Sequence, residues 1–380
     1  MELLFRAFWE AYASNIRKKL MNIVVLQDYL RSGGTERQSV LLAETFASKE
    51  HSCTLLTFRP GGSLSRTVCR ATYHSLQPID TKLDWFAPGL LRCLRSIKPD
   101  VVLCMGRMAN CYAGRIKRLM PSLIVVATMR TGKALPKLYQ QSLLSVDHVV
   151  ANSQEARKSL LRQYRVPDEN ISVINNALIF SHSTHTAGPE DSVFSRYASG
   201  KTLILLCVAM FRPEKNQREL IEIVAGLPPE FNYQLWLAGD GPCLSECQDL
   251  AAERGLRERV RFLGWLPDPS ELYEQADIAV HASCSEALSN FLIEAQYHGL
   301  PAVAYDAQGN DECMIPGRTG LIIPPGDRNE FRKAIELLSS EPPEQRELRA
   351  ARARAFARER FDRSRQPVAY LNLFRNLGAR

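Results

Sequence analysis

Short apolar runs alternate with helix-length stretches along this chain of 380 residues. The alternation stops once, at residues 179–200, and then restarts. Before the break, Met21–Gln27, Thr54–Phe58, Val101–Met105, Ile124–Thr128, His148–Ala151 and Ser172–Ile174 read as strands. They are too short for helices and rich in β-branched residues. After it come Leu203–Met210, Gln234–Ala238, Val260–Leu263, Ile278–His281, Ala302–Tyr305 and Leu321–Ile323. Intervening stretches carry helical periodicity; residues 36–48 offer Val40, Leu41, Leu42, Ala43 and Phe46 to one face. A strand followed by a helix returns the chain to the starting end of the sheet, so the strands must pair in parallel beneath helices on both faces. The reading is therefore α/β, with two consecutive doubly wound, Rossmann-like domains. Ligands belong at the carboxyl ends of such strands.

The expected boundaries are an amphipathic extension at residues 1–20, a first domain at 21–178, a polar linker at 179–200 and a second domain at 201–360. Residues 361–380 should form a last helix that crosses back to the first domain, with Tyr370, Leu371 and Phe374 as its apolar contacts. In the extension, Met1, Phe5, Phe8, Trp9, Tyr12 and Ile16 fall on one arc, opposite Arg6, Glu10, Ser14 and Arg17. An interfacial membrane helix, a helix packed on the protein body and an upstream misassigned start all share that pattern.

A membrane-spanning helix needs about 20 apolar residues, and the longest run, Leu203–Phe211, is a buried strand. No secretory signal is visible, because Glu2, Arg6 and Glu10 interrupt its apolar region. Ten cysteines without a CxxC pair fit buried thiols in a reducing compartment. Cys243 and Cys247 are spaced for helix packing, and no histidine pair accompanies them to suggest a metal. Charge is uneven. Residues 1–150 hold 21 Lys+Arg against 10 Asp+Glu, whereas residues 201–350 hold 14 against 24. Either the first half meets an anionic partner or the charge is solvated surface.

The residues that carry chemistry begin with Glu286-Ala-Leu-Ser-Asn-Phe-Leu-Ile-Glu294, which follows the strand 278–281. A helix expected over 287–298 would start at this point. Its free backbone N–H groups around Leu288, Ser289 and Asn290 suit a phosphate. Glu286 and Glu294 can accept hydrogen bonds from hydroxyls, although two glutamates on a helix are weak evidence alone. His281 ends the preceding strand, equally suited to a cleft or a structural role.

Here the chain resembles the retaining glycosyltransferases of family 4, which have the GT-B fold. The family's E-x7-E segment commonly reads EGFPNVLLEA, and residues 286–295 read EALSNFLIEA. His298–Ala304, Leu237-Ala-Gly-Asp-Gly-Pro242, Val260–Asp268, Gly317–Asp327 and Gly33-Gly34-Thr35-Glu36 resemble further family motifs in the family's order. The resemblance covers roughly residues 21–376. It implies two facing Rossmann-like domains with a cleft between them. It implies Glu286 on the donor sugar, Glu294 on the ribose, and the backbone of Leu288, Ser289 and Asn290 on the diphosphate and sugar. It also puts the backbone from Gly264 to Leu266 against the base, with Gly33 and Gly34 opening a close approach to the diphosphate.

Lys215 matches the family's P-E-K segment, and Arg212 stands in for an arginine that many relatives carry five residues before that lysine. Both are expected to bind the diphosphate, although Arg212 also reads as a surface arginine at a helix start. Arg130 occupies a position where relatives often have histidine. It cannot be a base at neutral pH, and it could face the donor sugar, the acceptor or a phosphate.

No D-x-D triplet occurs, so no metal is expected in the chemistry, and no cofactor beyond the nucleotide-sugar substrate. The expected activity is transfer of a sugar from a nucleotide-diphosphate donor, UDP favoured, to a glycan or lipid-linked acceptor with retained anomeric configuration. Cell-envelope glycan, lipopolysaccharide or glycolipid synthesis is the expected setting, with no nucleic-acid partner. The expected location is cytoplasmic, peripheral on an anionic membrane, with Lys98, Arg107, Arg115, Lys117, Arg118, Lys133 and Lys137 as contributing charges. The alternatives are a sugar-nucleotide epimerase or hydrolase of the same fold, or a non-catalytic nucleotide-sugar-binding protein. The first would need acidic residues from the amino-terminal domain, and Asp147 is the one acidic residue in 101–150. A dinucleotide dehydrogenase is disfavoured because SGGTER, residues 32–37, lacks G-x-G-x-x-G.

Overall fold

The computed structural model describes residues 20–179 and 202–379. The amphipathic helix expected in residues 1–20 and the linker expected at 179–200 fall outside the described residues but for Leu20 and Ile179. The chain divides into two compact units, residues 1–127 with 145–147 and 376–380, and residues 128–144 with 148–375.

Two parallel sheets organise the described residues. The first contains β1 (Asn22–Gln27), β2 (Ser52–Thr57), β3 (Thr72–Ser75), β4 (Val101–Cys104), β5 (Ile124–Met129), β6 (His148–Ala151) and β7 (Ile171–Val173). Their order is β3-β2-β1-β4-β5-β6-β7. The second contains β8 (Leu203–Val208), β9 (Tyr233–Ala238), β10 (Val260–Gly264), β11 (Ile278–His281), β12 (Ala302–Tyr305) and β13 (Gly320–Ile323). Their order is β10-β9-β8-β11-β12-β13. In each sheet the first strand starts near the middle, winding runs outward to one edge, and the chain then returns to wind the other way. That reversal makes a topological switch point between β1 and β4, and another between β8 and β11.

The sheets are apolar because helices cover them. Every residue of β4, β6, β11 and β12 is buried. Around the second sheet, Phe211, Tyr233, Tyr273, Phe331 and Phe361 fill one continuous core with the strand residues. Truncating a fully buried member such as Leu206 to alanine would cost about 2–5 kcal/mol.

Elements that escape the sequence pattern include the edge strand β3 and the helices Arg328–Ser339 and Pro343–Arg360. β3 is a polar edge strand, Thr-Tyr-His-Ser, with no fully buried residue, so it has no apolar run to betray it. The helix Pro343–Arg360 packs on the helix Asn290–His298 through the small residues Ala350, Ala353 and Ala357. Its many arginines leave little apolar contrast. The last helix, Arg365–Gly378, buries Tyr370, Leu371 and Phe374.

Candidate active site

The site is assembled at the carboxyl ends of β8 and β11, the switch point of the second sheet. Beyond β8 the chain anchors Phe211 in the core, passes Arg212 and makes a tight turn at Pro213–Lys215. Asn216 then adopts a left-handed φ of 52° and opens the helix Gln217–Ala225. Asparagine tolerates this region better than most residues. Neighbouring backbone holds the turn. Phe211 N donates to Asp240 O at 2.9 Å. A Cβ on Gly239 would lie 2.0 Å from Ala209 O, and one on Gly241 2.4 Å from Phe211 O. The A-G-D-G-P segment therefore needs both glycines for close approach, beyond their positive φ. On the other side, Glu214 O accepts from Cys284 N at 2.9 Å and Ser283 Oγ at 2.8 Å. These bonds tie the turn to the loop after β11.

That loop carries Glu286. The helix expected from residue 287 begins instead at Asn290, with Ser289 as its cap; the Ser289 hydroxyl accepts from Leu292 N. A serine in extended geometry satisfies an orphan N–H and stops the helix there. Glu286 accordingly sits in the loop, three residues before the Ser289 cap. Its Oε1 accepts from Lys215 Nζ and lies 3.0 Å from His281 Nε2. His281 is fully buried at the end of β11, and its Nε2 is also 3.3 Å from Ser289 Oγ. Burial opposes ionisation of Glu286, but the Lys215 ammonium and the His281 hydrogen bond outweigh it and hold the carboxyl at about 2. Desolvation pulls His281 below its ordinary value and keeps the ring neutral at pH 7, so Nε2–H donates to the Glu286 carboxylate.

Glu294 is buried one helical turn further on, where its Oε2 accepts from Tyr273 Oη at 2.7 Å. Tyr273 in turn stacks on His298 with ring centroids 5.1 Å apart. Of the expected backbone donors, Ser289 N is engaged by Cys313 Sγ at 3.3 Å. The Leu288 side chain is buried in the core.

Arg130 reaches the same region within the second unit. It donates through Nη2 to Asn176 Oδ1, and Asn176 Nδ2 donates to Asn290 Oδ1 at 2.6 Å. Tyr370 also lies beside Arg130, and desolvation lowers the guanidinium from its ordinary value. A Cβ on Gly132 would stand 2.6 Å from Ser285 Oγ, and Lys133 pairs with Glu214 at 2.7 Å. Gly264, at φ 70°, accepts from Gly239 N at 2.7 Å, with Trp265 exposed beside it and Leu266 half-buried.

The structure thus brings together Lys215, Glu286, Ser289, Asn290 and Arg130, with Glu294 on the same helix as Asn290. Arg212 is half-buried at the start of the Pro213–Lys215 turn and enters no ion pair among the described residues. Gly33 and Gly34 belong to the first unit, where Gly33 caps the helix Gly34–Ser48 at an ordinary φ of −72°. Asp147 is engaged by Lys117 at 2.7 Å and by Val125 N at 2.8 Å. Asn176, Tyr273, Ser283 and Cys313 were missed by sequence reasoning. His281 preceded the glutamate in the sequence and was the one signal available for this network.

Comparison with known proteins fits this geometry. The model for glycosyl transferases group 1 matches residues 190–355, and that for Glycosyltransferase Family 4 matches residues 32–179. The chain belongs to the family 4 type of GT-B glycosyltransferases. Its sequence is 32% identical to the lipopolysaccharide core biosynthesis glycosyltransferase LpsE of Rhizobium meliloti, over 45% of this chain and 49% of LpsE. It is 34% identical to the putative glycosyltransferase EpsD of Bacillus subtilis, over 37% of each. These matches span half or less of each relative's length. Anabaena HepE in complex with UDP superposes with a TM-score of 0.77 at 22% identity, covering 94% of this chain and 100% of HepE. A glycosyltransferase from Rickettsia africae ESF-5 gives a TM-score of 0.77 at 16% identity, over 94% and 99%. Both superpositions establish the GT-B fold of this glycosyltransferase family member.

Proposed function

We propose that this family member transfers a sugar from a nucleotide-diphosphate donor, UDP favoured, to an acceptor hydroxyl with retention at the anomeric carbon. The observation that carries the reading is the Lys215–Glu286–His281 constellation beside the start of the helix Asn290–His298. A cation, an ionised carboxylate and a helix N-terminus meet at a topological switch point. Such a group can neutralise a diphosphate while the carboxylate accepts from sugar hydroxyls. Arg212 adds a second cation for the diphosphate, and Glu294 takes the ribose hydroxyls. In the transfer, the bond from the anomeric carbon to the diphosphate oxygen breaks and a bond to the acceptor oxygen forms. The acceptor proton passes to the departing phosphate oxygen. HepE is described with UDP and with UDP-glucose, which supports a uridine donor here. LpsE, whose name places it in lipopolysaccharide core biosynthesis, supports a cell-envelope or glycolipid acceptor.

Metal independence and a place on the cytoplasmic face of an anionic membrane belong to the same proposal. No described helix is long and apolar enough to cross a membrane. Of the basic residues expected to meet the surface, Lys117 and Lys133 are held in ion pairs with Asp147 and Glu214. That leaves Lys98, Arg107, Arg115, Arg118 and Lys137 as the exposed contributors.

The test is nucleoside diphosphate release from a panel of nucleotide sugars, with and without lipid-linked glycan acceptors. Acceptor-stimulated release from a UDP-sugar, with the product anomer matching the donor by NMR, is expected. Release that ignores every acceptor, or an inverted product, would overturn the corresponding part of the proposal.

A further inference from the structure

Gln77–Phe86, a loop of the first unit, is built to hold apolar side chains outward. Gln77 is fully buried, and its amide donates to Leu83 O at 3.0 Å and Phe86 O at 2.6 Å while its carbonyl accepts from Thr81 Oγ1 at 2.8 Å. Arg59 bridges Asp80 and Asp84, each at 2.7 Å, and lies over the Tyr29 ring; Arg31 also binds Asp84. Tyr112 Oη donates to Trp85 O at 2.7 Å. A loop fixed at so many points could turn its large apolar groups inward, yet Ile79 is 72% exposed, Trp85 55%, and Leu83 and Phe86 are exposed with them. Single exposed leucines are ordinary, but four large apolar side chains exposed within eight residues of a many-times-tied loop, two of them with ring centroids 6.1 Å apart, are a local concentration of apolar surface.

The surroundings of the patch are basic. A half-open pocket of about 180 Å³ adjoins the loop through Tyr112 and is lined also by Leu90, Leu91, Arg92 and Arg115. No acidic residue lines it. Arg92 and Arg115 are exposed and enter no ion pair among the described residues. The carboxylates of the loop itself are neutralised by Arg59 and Arg31. Fixed apolar groups with an aromatic indole, rimmed by unpaired guanidiniums, match the chemistry of an anionic bilayer interface.

We propose that the Gln77–Phe86 loop is a membrane-docking wedge: Ile79, Leu83, Trp85 and Phe86 enter the interfacial layer of an anionic bilayer, and Arg92 and Arg115 bind lipid phosphates beside it. This inference rests on the peripheral-membrane reading above and assigns it a surface.

The test is co-sedimentation of the full chain with phosphatidylcholine vesicles, with and without phosphatidylglycerol. The wild-type chain should bind the mixed vesicles, and Trp85→Ser/Phe86→Ser should partition about tenfold more weakly or worse. Ile79→Ser, at the most exposed position, should weaken binding without touching any tie of the loop. Arg92→Ala/Arg115→Ala should remove the preference for phosphatidylglycerol. UDP binding serves as the folding control and should match wild type in every variant. Equal vesicle binding by wild type, Trp85→Ser/Phe86→Ser and Ile79→Ser would overturn the wedge while leaving the membrane reading intact. Absence of binding by the wild type would overturn both. A wild-type dimer that the Trp85→Ser/Phe86→Ser variant converts to monomer, by sedimentation velocity, would overturn the wedge in favour of self-association.

Discussion

Lys215 and Glu286 form an ion pair in which Lys215 Nζ donates to the same carboxylate oxygen that His281 Nε2 meets at 3.0 Å. Glu286 is buried, so its orientation and charge depend on those two donors. Lys215→Ala leaves the carboxylate with a neutral histidine alone, a loss of the kind that costs about 3–5 kcal/mol when one partner of a buried pair is removed. It also removes a cation proposed for the diphosphate. We expect donor kcat/KM to fall by roughly a hundredfold or more with the far-ultraviolet circular dichroism unchanged. Wild-type transfer at sub-saturating donor would contradict the assignment.

The pH dependence of stability follows from the same contact. Glu286 is held at about 2, below its ordinary value of 4.5. A depressed carboxyl favours the folded state above the unfolded pKa and loses that contribution as pH falls through the folded one. The stabilisation should therefore be complete above about pH 5 and fade between 4.5 and 2. Denaturant titrations of wild type and Glu286→Gln at several pH values test this. The difference between them should shrink across that window, and a constant difference from pH 7 to pH 2 would show that Glu286 is not depressed.

Glu294 and Tyr273 offer a graded pair. Glu294→Ala removes the proposed ribose contact and strands the Tyr273 hydroxyl, whereas Tyr273→Phe removes one hydrogen bond and keeps the ring stacked on His298. Charge-assisted hydrogen bonds contribute about 1.5–3 kcal/mol. UDP affinity by calorimetry should drop by about tenfold or more for Glu294→Ala and by less for Tyr273→Phe. A reversed ranking would place the nucleotide elsewhere.

Activity should survive chelation. The chain has no D-x-D triplet, and Lys215 and Arg212 are the cations proposed above for the diphosphate. Transfer measured in EDTA should stay close to the untreated rate. Loss in EDTA with recovery on adding magnesium or manganese would contradict the scheme.

The sequence made the sheets legible because apolar β-branched runs such as Val101–Cys104 and Ala302–Tyr305 are buried on both faces and stand out against polar helices. It could not expose β3, whose edge position permits polar residues, or the arginine-rich helix Pro343–Arg360. In the candidate site, local motifs singled out Glu286 and Glu294 on one segment and Lys215 on another, but the contact between Lys215 and Glu286 spans 71 residues and is not local information. The helix start was displaced to Asn290 because a serine cap outweighs the helical periodicity of Ala287 and Leu288. Tyr273, Asn176 and Cys313 stayed hidden, because each meets its partner across a separation of 21, 114 or 24 residues.

Arg130 provides the last prediction. Its guanidinium reaches Asn290 only through Asn176, so the three should act as a unit on the proposed donor site. If Asn176 merely fills space, Arg130→Ala and Asn290→Ala will have independent effects that add. If the chain of hydrogen bonds orients Asn290 at the start of its helix, either substitution breaks the same arrangement, and the double variant will be little worse than the more damaging single one. Residues sharing one hydrogen-bond network show interaction energies of about 0.5–3 kcal/mol in such cycles. We expect a coupling in that range in donor kcat/KM, and its disappearance when the cycle is repeated in an Asn176→Ala background. Arg130→Lys should not restore the wild-type rate, because an ammonium cannot reproduce a planar guanidinium contact. Additivity within error in the wild-type background would show that Arg130 acts on substrate without Asn290, or not at all.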